Sequence, residues 1–367
     1  MYFSTEPNLS HIVNIQLHDL HMPLLEAYPS AITTLTSLDT LVVIVTTSDG
    51  AVGFGEAAIV EGYTHETRQG GWDFCHQQAQ ASIGMDCQKA IAQWQQHRAA
   101  HSHAVAALVS AVEMAQSHPI LSAHQDIIRV PLLAPVNSKS QSLVLAEVDR
   151  LLDRGFKTLK VKVGFDVAAD LQRLSWIQGR IGERASIRLD GNQGYQTAQA
   201  LEFVQRMSPQ AIELFEQPCS DNDWEAAVQV ARHSPVPMML DESIYVASDI
   251  DKAARLKAAQ YIKLKLVKSA GLDSLIDDLQ RITTHGMQRV MGNGVASEIG
   301  CWMEACVAHA YINNAGEFNG FLKPSDRLFE NPLPFEEGCI VLEPGYWPTL
   351  DMAKLESLSV KTALIGH

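Results

Sequence analysis

Apolar and polar residues follow one rhythm before about position 129 and another after it. In the first part, residues 12–17 (IVNIQL) alternate as a half-buried strand does. Residues 41–46 (LVVIVT) and 51–55 (AVGFG) flank Ser48-Asp49-Gly50, and the Asp-Gly pair predicts a hairpin turn. Between these strands, residues 22–37 are rich in Pro, Ser and Thr, which predicts a loop. From 86 to 114, apolar residues recur at helical spacing in alanine-rich runs such as HAVAALVSAVEMA. The pattern predicts an α+β block, a small meander followed by helices.

After about Arg129, short apolar runs that each close on a polar or charged residue alternate with amphipathic stretches. The runs end near Ala134, Lys162, Asp190, Glu216, Asp241, Lys265, Asn293 and Glu317, 24 to 28 residues apart. That interval holds one strand, one helix and two short loops, so these units predict a (β/α) barrel rather than an open doubly wound sheet. Helices are predicted over 168–179, 197–207 and 272–284. Beyond Lys323 the periodicity gives way to Pro- and Gly-rich connections (NPLPFEEG, LEPGYWP). The expected organisation is α/β: an α+β domain at 1–127, a (β/α) barrel at 128–325, and an extension at 326–367 that packs back on the first domain.

The chain's 367 residues exceed what one small core needs, and 46% hydrophobic against 19% charged residues is a globular balance. A net charge of −14 argues against a nucleic-acid partner, because phosphate binding needs a basic face. No N-terminal stretch reads as an export signal, and the apolar runs fall short of the roughly 20 residues that cross a bilayer. The expectation is a cytoplasmic chain with no membrane partner. Cys75, Cys87, Cys219, Cys301, Cys306 and Cys339 lack CxxC spacing and are expected as reduced, buried small side chains.

In a (β/α) barrel the reacting groups sit where strands end and loops begin. Three successive run ends, Asp190, Glu216 and Asp241, bring one carboxylate each to that rim. Acids on one face repel unless something neutralises them, and all-oxygen ligands with room for water and substrate suit Mg²⁺, or Mn²⁺ in its place. Lys160 and Lys162 stand two apart on one run, so they share a face. Desolvated ammonium groups crowded beside a metal hold their protons less firmly, as a lysine base near neutral pH must. Lys265 closes the run after Asp241, across the barrel from Lys162. Two bases facing each other across a bound carboxylate can take a proton from one face and return it on the other. Lys263 is expected to point outward from its strand and Lys268 to begin a loop. Strand alternation lets only one of Asp241 and Glu242 face inward.

The runs GFKTLKVKVG, RLDGNQGY, ELFEQP, LDES and IKLKLVKSAGL, in this order, resemble the signature strands of the enolase superfamily. They are similar in particular to its muconate-lactonizing, mandelate racemase-like subgroup of cycloisomerases, N-acylamino acid racemases and dipeptide epimerases. The resemblance covers roughly 130–325 and implies a barrel of the enolase-superfamily type with an α+β capping domain. It implies that Asp190, Glu216 and Asp241, rather than Glu242, hold Mg²⁺. It makes Lys162 the base on one face, with Lys160 beside it, and Lys265 the base on the other. The chemistry so implied is enolisation of a small-molecule carboxylate, its enediolate stabilised by the ion. The resemblance also implies a homo-oligomer. Two outcomes stay open. Racemisation or epimerisation of an amino-acid derivative needs bases on both faces; a lyase reaction, cycloisomerisation or syn-dehydration, uses one lysine as base or acid and the other electrostatically.

The chain departs from that subgroup where specificity is set. Dipeptide epimerases carry Asp-x-Asp at the eighth strand, whereas Glu317-Phe318-Asn319 stands here. Glu317 and Asn319 are therefore candidates for substrate contact, Glu317 toward a cationic nitrogen. Cycloisomerases follow a glutamate with Gly-Pro, but here Gly320 precedes Phe321. In VMGNGVASE, Asn293 takes the place of a serine and Ala296 that of a glutamate, which makes Asn293 a third candidate. Tyr63, in GYTHET, and Tyr28 fall where the family's capping domains cover the barrel mouth, and both are candidates for the same role. His101, His103, His118 and His124 lack ligand spacing and are expected in surface or core roles. Gly53-Phe54-Gly55 lacks the following helix that a phosphate site needs.

Overall fold

The computed structural model describes residues 10–29, 34–122 and 124–366. Strand β1 (Ile12–Pro29) pairs antiparallel with β2 (Thr34–Thr47), which turns through Gly50, at φ 82°, into β3 (Val52–Ala57). The loop expected over 22–37 is, in its described residues, a continuation of both strands; residues 30–33 lie outside the described residues. Met22 stands opposite Leu38, and both are buried; Tyr28 stands opposite Leu35. Inward apolar positions and ladder hydrogen bonds outweigh the loop-like Pro, Ser and Thr content. This two-stranded arm reaches the barrel mouth, where the Leu25 N–H donates to the Lys323 carbonyl at 2.9 Å.

Helices Arg68–Ser82, Cys87–Gln95 and Arg98–Ala115 cover one face of this sheet. The predicted helical stretch over 86–114 is thus two helices, parted at His97. Gly53 and Gly55 permit the close packing: a Cβ on either would lie 2.1 or 2.3 Å from the carbonyls of Ala111 and Ala107 in the third helix.

After β4 (Ile128–Pro131) come seven parallel strands, each paired with the next: β5 (Leu133–Val136), β6 (Thr158–Lys162), β7 (Ser186–Asp190), β8 (Ile212–Glu216), β9 (Met238–Leu240), β10 (Tyr261–Leu264) and β11 (Gln288–Met291). The stretch around Gly316 closes the ring. Gly316 N–H donates to the Pro131 carbonyl at 2.8 Å, Leu133 N–H to that of Gly316 at 2.9 Å, and Glu317 N–H to that of Met291 at 3.0 Å. Intervening helices, among them Val167–Ile181, Thr197–Arg206 and Leu272–Thr284, pack outside. In the first, Leu174, Ile177 and Ile181 are fully buried at i, i+3 and i+7, each worth about 1.5–3 kcal/mol of burial. Inside the lower barrel, Leu214, Met239 and Val290 form a small apolar plug.

Beyond the barrel, β12 (Phe335–Glu336) and β13 (Cys339–Leu342) extend β4, and β14 (Ser359–Gly366) pairs with β1. Among the described residues no helix is long and apolar enough to cross a membrane. Cys339 is partly buried, the other five cysteines are buried, and all six are free.

Candidate active site

Strands β6, β7 and β8 end on Lys162, Asp190 and Glu216, and Asp241 and Lys265 stand one residue beyond β9 and β10. All five side chains converge at the same end of the barrel. Lys160 Nζ lies 2.8 Å from Asp190 Oδ2, 3.0 Å from Glu216 Oε2 and 2.8 Å from Glu317 Oε2. Lys162 donates to Asp190 Oδ2 at 2.6 Å and to Asn192 Oδ1. Lys265 donates to Asp241 Oδ2 at 2.8 Å and to the Tyr63 hydroxyl at 2.6 Å. Lys160 thus joins Asp190 to Glu216, and Lys263, 3.0 Å from Glu216 and 3.4 Å from Asp241, joins the third acid. Among the described residues, no three His, Cys, Asp or Glu side chains are grouped so as to hold a metal ion directly.

Backbone clamps place these groups. Asn192 and Gln193 take left-handed φ values of 39° and 66°, turning the chain so that the Asn192 N–H donates to Asp190 Oδ1 at 2.9 Å. Gln217 Oε1 accepts from the Asp241 N–H at 3.1 Å. Arg173 donates to the Lys162 carbonyl at 2.8 Å and to that of Val136. Glu304 accepts from the N–H groups of Leu266 at 2.9 Å and Asn293 at 3.1 Å. Val267 and Ala270, just past Lys265, belong to the hydrophobic core of the N-terminal sheet and its helices, which locks that loop between the two layers.

Several expectations are overturned. Lys263 does not point outward: it is 2% exposed, lies 3.0 Å from Glu216 Oε1 and contacts Glu317. The period-2 rule that aims Lys265 inward aims Lys263 inward as well. Lys268 lies in the short helix Leu266–Ser269, which folds its ammonium back to Asp241 Oδ1 at 2.9 Å. Glu242 is also buried beside Asp241, because both stand beyond the last strand residue and alternation no longer applies. It accepts from Asn192 at 2.9 Å.

Glu317 lines the cleft, and the cations it meets are the protein's own Lys160 and Lys263. Asn293 lines the same cleft. Asn319 lies away from it, donating to the Leu133 carbonyl at 2.9 Å and accepting from Lys323 at 2.8 Å. Tyr28 and Tyr63 line the cleft, as does His103, whose Nδ1 is 3.1 Å from Glu66 Oε1. Of the residues not singled out beforehand, Asn192 lay in plain view in the run LDGNQGY; Glu304 and Arg173, on outer helices, carried no such signal.

Burial opposes every charge here, and the neighbours decide the outcome. For Lys160 and Lys162, burial is outweighed by carboxylates, Asp190 foremost, and both are raised. This reverses the expected depression. Lys265 is lowered to about 8, because burial, aided by Lys268 and Lys263, prevails over Asp241. Burial is likewise outweighed at Asp190, held at about 2 by Lys160, Lys162 and Lys263. Glu216 is pushed up to about 7 by burial and by Asp190.

A family model described as "Enolase C-terminal domain-like" matches residues 143–351. L-Ala-D/L-Glu epimerase of Bacillus subtilis is 26% identical over 352 residues, 91% of this chain and 94% of that protein. A crystal structure of muconate lactonizing enzyme from Pseudomonas fluorescens, complexed with muconolactone, gives a TM-score of 0.86 at 24% identity, covering 96% of this chain and 100% of that one. A dipeptide epimerase from Cytophaga hutchinsonii, complexed with Mg and D-Ala-L-Val, gives 0.88 at 22% identity over 97% and 100%. At these identities the two structures show a shared fold.

Proposed function

Because the chain belongs to the enolase C-terminal domain-like family, we propose that it removes a proton next to a substrate carboxylate and so racemises or epimerises an amino-acid derivative. One observation carries this reading: Lys162 and Lys265 stand four strands apart around a closed barrel, on either side of three buried carboxylates. On this reading residues 1–127 are a cap, 128–325 the catalytic barrel and 326–367 an extension, in a cytoplasmic homo-oligomer.

The donor chemistry fits a hard divalent ion. Asp190, Glu216 and Asp241 offer only carboxylate oxygens from adjacent strand ends, and their charge already draws cations into the same space. As the side chains stand, the ammonium groups of Lys160 and Lys263 lie between these acids, which are not grouped closely enough to hold an ion directly; with those ammonium groups shifted, the three would hold Mg²⁺, or Mn²⁺. The chemistry such an ion supplies when bound is stabilisation of charge building on the substrate carboxylate. Lys162 takes or returns the α-proton at Nζ on one face, and Lys265 does so on the other. Lys160 keeps the acids neutralised beneath them. Tyr63 and Tyr28, from the cap, exclude water above.

A lyase reaction is the second reading, favoured by the unequal lysines: one is raised and one lowered, as an electrostatic partner and a base would be. A carboxylate library incubated with Mg²⁺ in D₂O tests both. Uptake of α-deuterium with interconversion of enantiomers supports the racemase. Elimination or ring closure supports the lyase, and no exchange in any compound overturns both.

A further inference from the structure

The helix Arg98–Ala115 breaks at His101, whose φ of −137° and ψ of 45° leave the helical region. A fresh helical start presents N–H groups that no preceding turn satisfies. Glu66, from the segment after β3, takes two of them: Oε1 accepts from the His103 N–H at 2.7 Å and Oε2 from the Ala104 N–H at 3.2 Å. The same Oε1 lies 3.1 Å from His103 Nδ1, and the Ser102 hydroxyl is also 3.1 Å from that nitrogen. Burial opposes the Glu66 charge, but the hydrogen bonds from His103 and Ala104 outweigh it and hold the acid below its ordinary value. An ionised carboxylate only accepts, so Nδ1 carries the proton, and in the neutral ring Nε2 is an acceptor.

The His103 side chain is only 6% exposed, and it lines the cleft. Its helix packs against Leu266–Ser269, the short helix just past Lys265, which sets the ring on that wall. The lysines and acids of the cleft are bonded to one another: Lys160 to Asp190 and Glu216, Lys162 to Asp190, Lys265 and Lys268 to Asp241. Nε2 of His103, by contrast, has no partner among the described residues. An unpaired acceptor on a largely buried ring costs free energy that a donor on a ligand regains. We propose that His103 is a substrate-binding residue whose Nε2 accepts a hydrogen bond from an O–H or N–H group on the part of the substrate facing the cap, with Glu66 as its positioning residue. The proposal rests on the proton-abstraction reading for where the substrate lies. It adds a preference: ligands that carry such a donor bind ahead of ligands of the same skeleton that lack it.

Two matched pairs of probes test it on the full-length protein with Mg²⁺: galactarate against adipate, and L-alanyl-L-glutamate against the ester analogue in which oxygen replaces the amide N–H. Calorimetry should show the donor-bearing member of at least one pair binding about tenfold tighter, the worth of one hydrogen bond. His103→Leu should erase that ratio and leave the donor-free member within about twofold. His103→Gln, whose side-chain oxygen can stand near the place of Nε2, should restore part of it. A ratio that survives His103→Leu, or binding of neither pair at millimolar concentration, overturns the proposal. Binding that depends on His103 without α-deuterium uptake in D₂O leaves the proposal standing and fails the proton-abstraction reading for that compound. Imidazole nitrogen NMR of the wild type needs no variant to fold, and at about pH 9 an ordinary imidazole is neutral. It should find Nδ1 protonated and Nε2 bare, with Nε2 shifting when a donor-bearing probe binds; a protonated Nε2 overturns the proposal. In Glu66→Gln the share of rings protonated at Nδ1 should fall, and an unchanged share overturns the role given to Glu66.

Discussion

The two walls of the barrel mouth carry the same residue in matched positions and treat it differently. On one wall, Lys162 sits against Asp190 and Asn192, with Lys160 alongside, and its side chain keeps 21% exposure. On the other, Lys265 is 6% exposed and shares Asp241 with Lys268 at 2.9 Å and Lys263 at 3.4 Å. Burial works against both ammonium groups. It loses to the carboxylates at Lys162, and wins at Lys265, where one carboxylate serves three lysines. At Lys162 Asp190 outweighs burial, whereas at Lys265 burial, aided by Lys268 and Lys263, outweighs Asp241. The walls also rest on opposite supports: the fixed cation Arg173 pins the Lys162 carbonyl, and the titratable acid Glu304 pins the Leu266 N–H.

The sharpest way to break this comparison is to remove one lysine at a time. Lys162→Ala and Lys265→Ala should each lose α-proton exchange of one enantiomer by about 10²–10⁴, leaving the other enantiomer's exchange in place. Exchange in D₂O on both enantiomers of an active substrate reads this out. Loss of the same enantiomer by both variants would mean the walls are not opposed across the substrate, and the lyase reading would replace the racemase.

The supports come next in size. Arg173→Met leaves the carbonyls of Lys162 and Val136 without their donor, a cost of about 4 kcal/mol if each buried carbonyl loses about 2. Urea unfolding measures it, and exchange on the Lys162 face should suffer more than on the Lys265 face. Glu304→Gln probes the other wall through pH. Burial raises Glu304 from 4.5 to about 7, against the N–H groups of Leu266 and Asn293. The folded protein thus keeps this proton where the unfolded chain releases it. The stability it contributes is whole below about 4.5 and is lost as pH rises through about 7. Glutamine does not titrate, so the stability of wild type relative to Glu304→Gln should fall by about 3 kcal/mol between pH 5 and pH 8. A gap that stays constant with pH would show Glu304 ionised throughout.

What was legible in the sequence follows the same division. Lys162, Asp190 and Glu216 are each the last residue of a strand, so the closing residue of an apolar run located them directly. Lys160 followed by alternation. The same rule, applied two residues back from Lys265, places Lys263 inside, yet a lysine in mid-strand reads as exposed until its acid partners are known. Lys268 lay beyond reach, because its position depends on the short helix Leu266–Ser269 folding back under Asp241. Glu242 escaped because the chain leaves the strand at Leu240. The arm formed by β1 and β2 was hidden by composition: its pairing is long-range, whereas Pro, Ser and Thr speak only for local preference.

The smallest expected effect separates the walls most cleanly. Tyr63 reaches Lys265 from the segment after β3, and its hydroxyl accepts from Lys265 at 2.6 Å while donating to Asp241 Oδ2 at 3.3 Å. Burial and the neighbouring Asp241 raise the phenol well above its ordinary value, so it acts as a neutral hydrogen-bonding group. Its ring also lies 4.7 Å beneath the same ammonium. Lys162, by contrast, donates its hydrogen bonds to Asp190 and Asn192, both in the barrel. Tyr63→Phe keeps the ring and removes two hydrogen bonds to charged groups, of which the shorter, from Lys265, is worth about 1.5 kcal/mol or roughly tenfold in rate. That loss should fall on the enantiomer handled by Lys265, while exchange by Lys162 changes less than twofold. An equal fall on both faces would assign Tyr63 to closing the cleft as a whole, and the Lys265 wall would no longer depend on the cap.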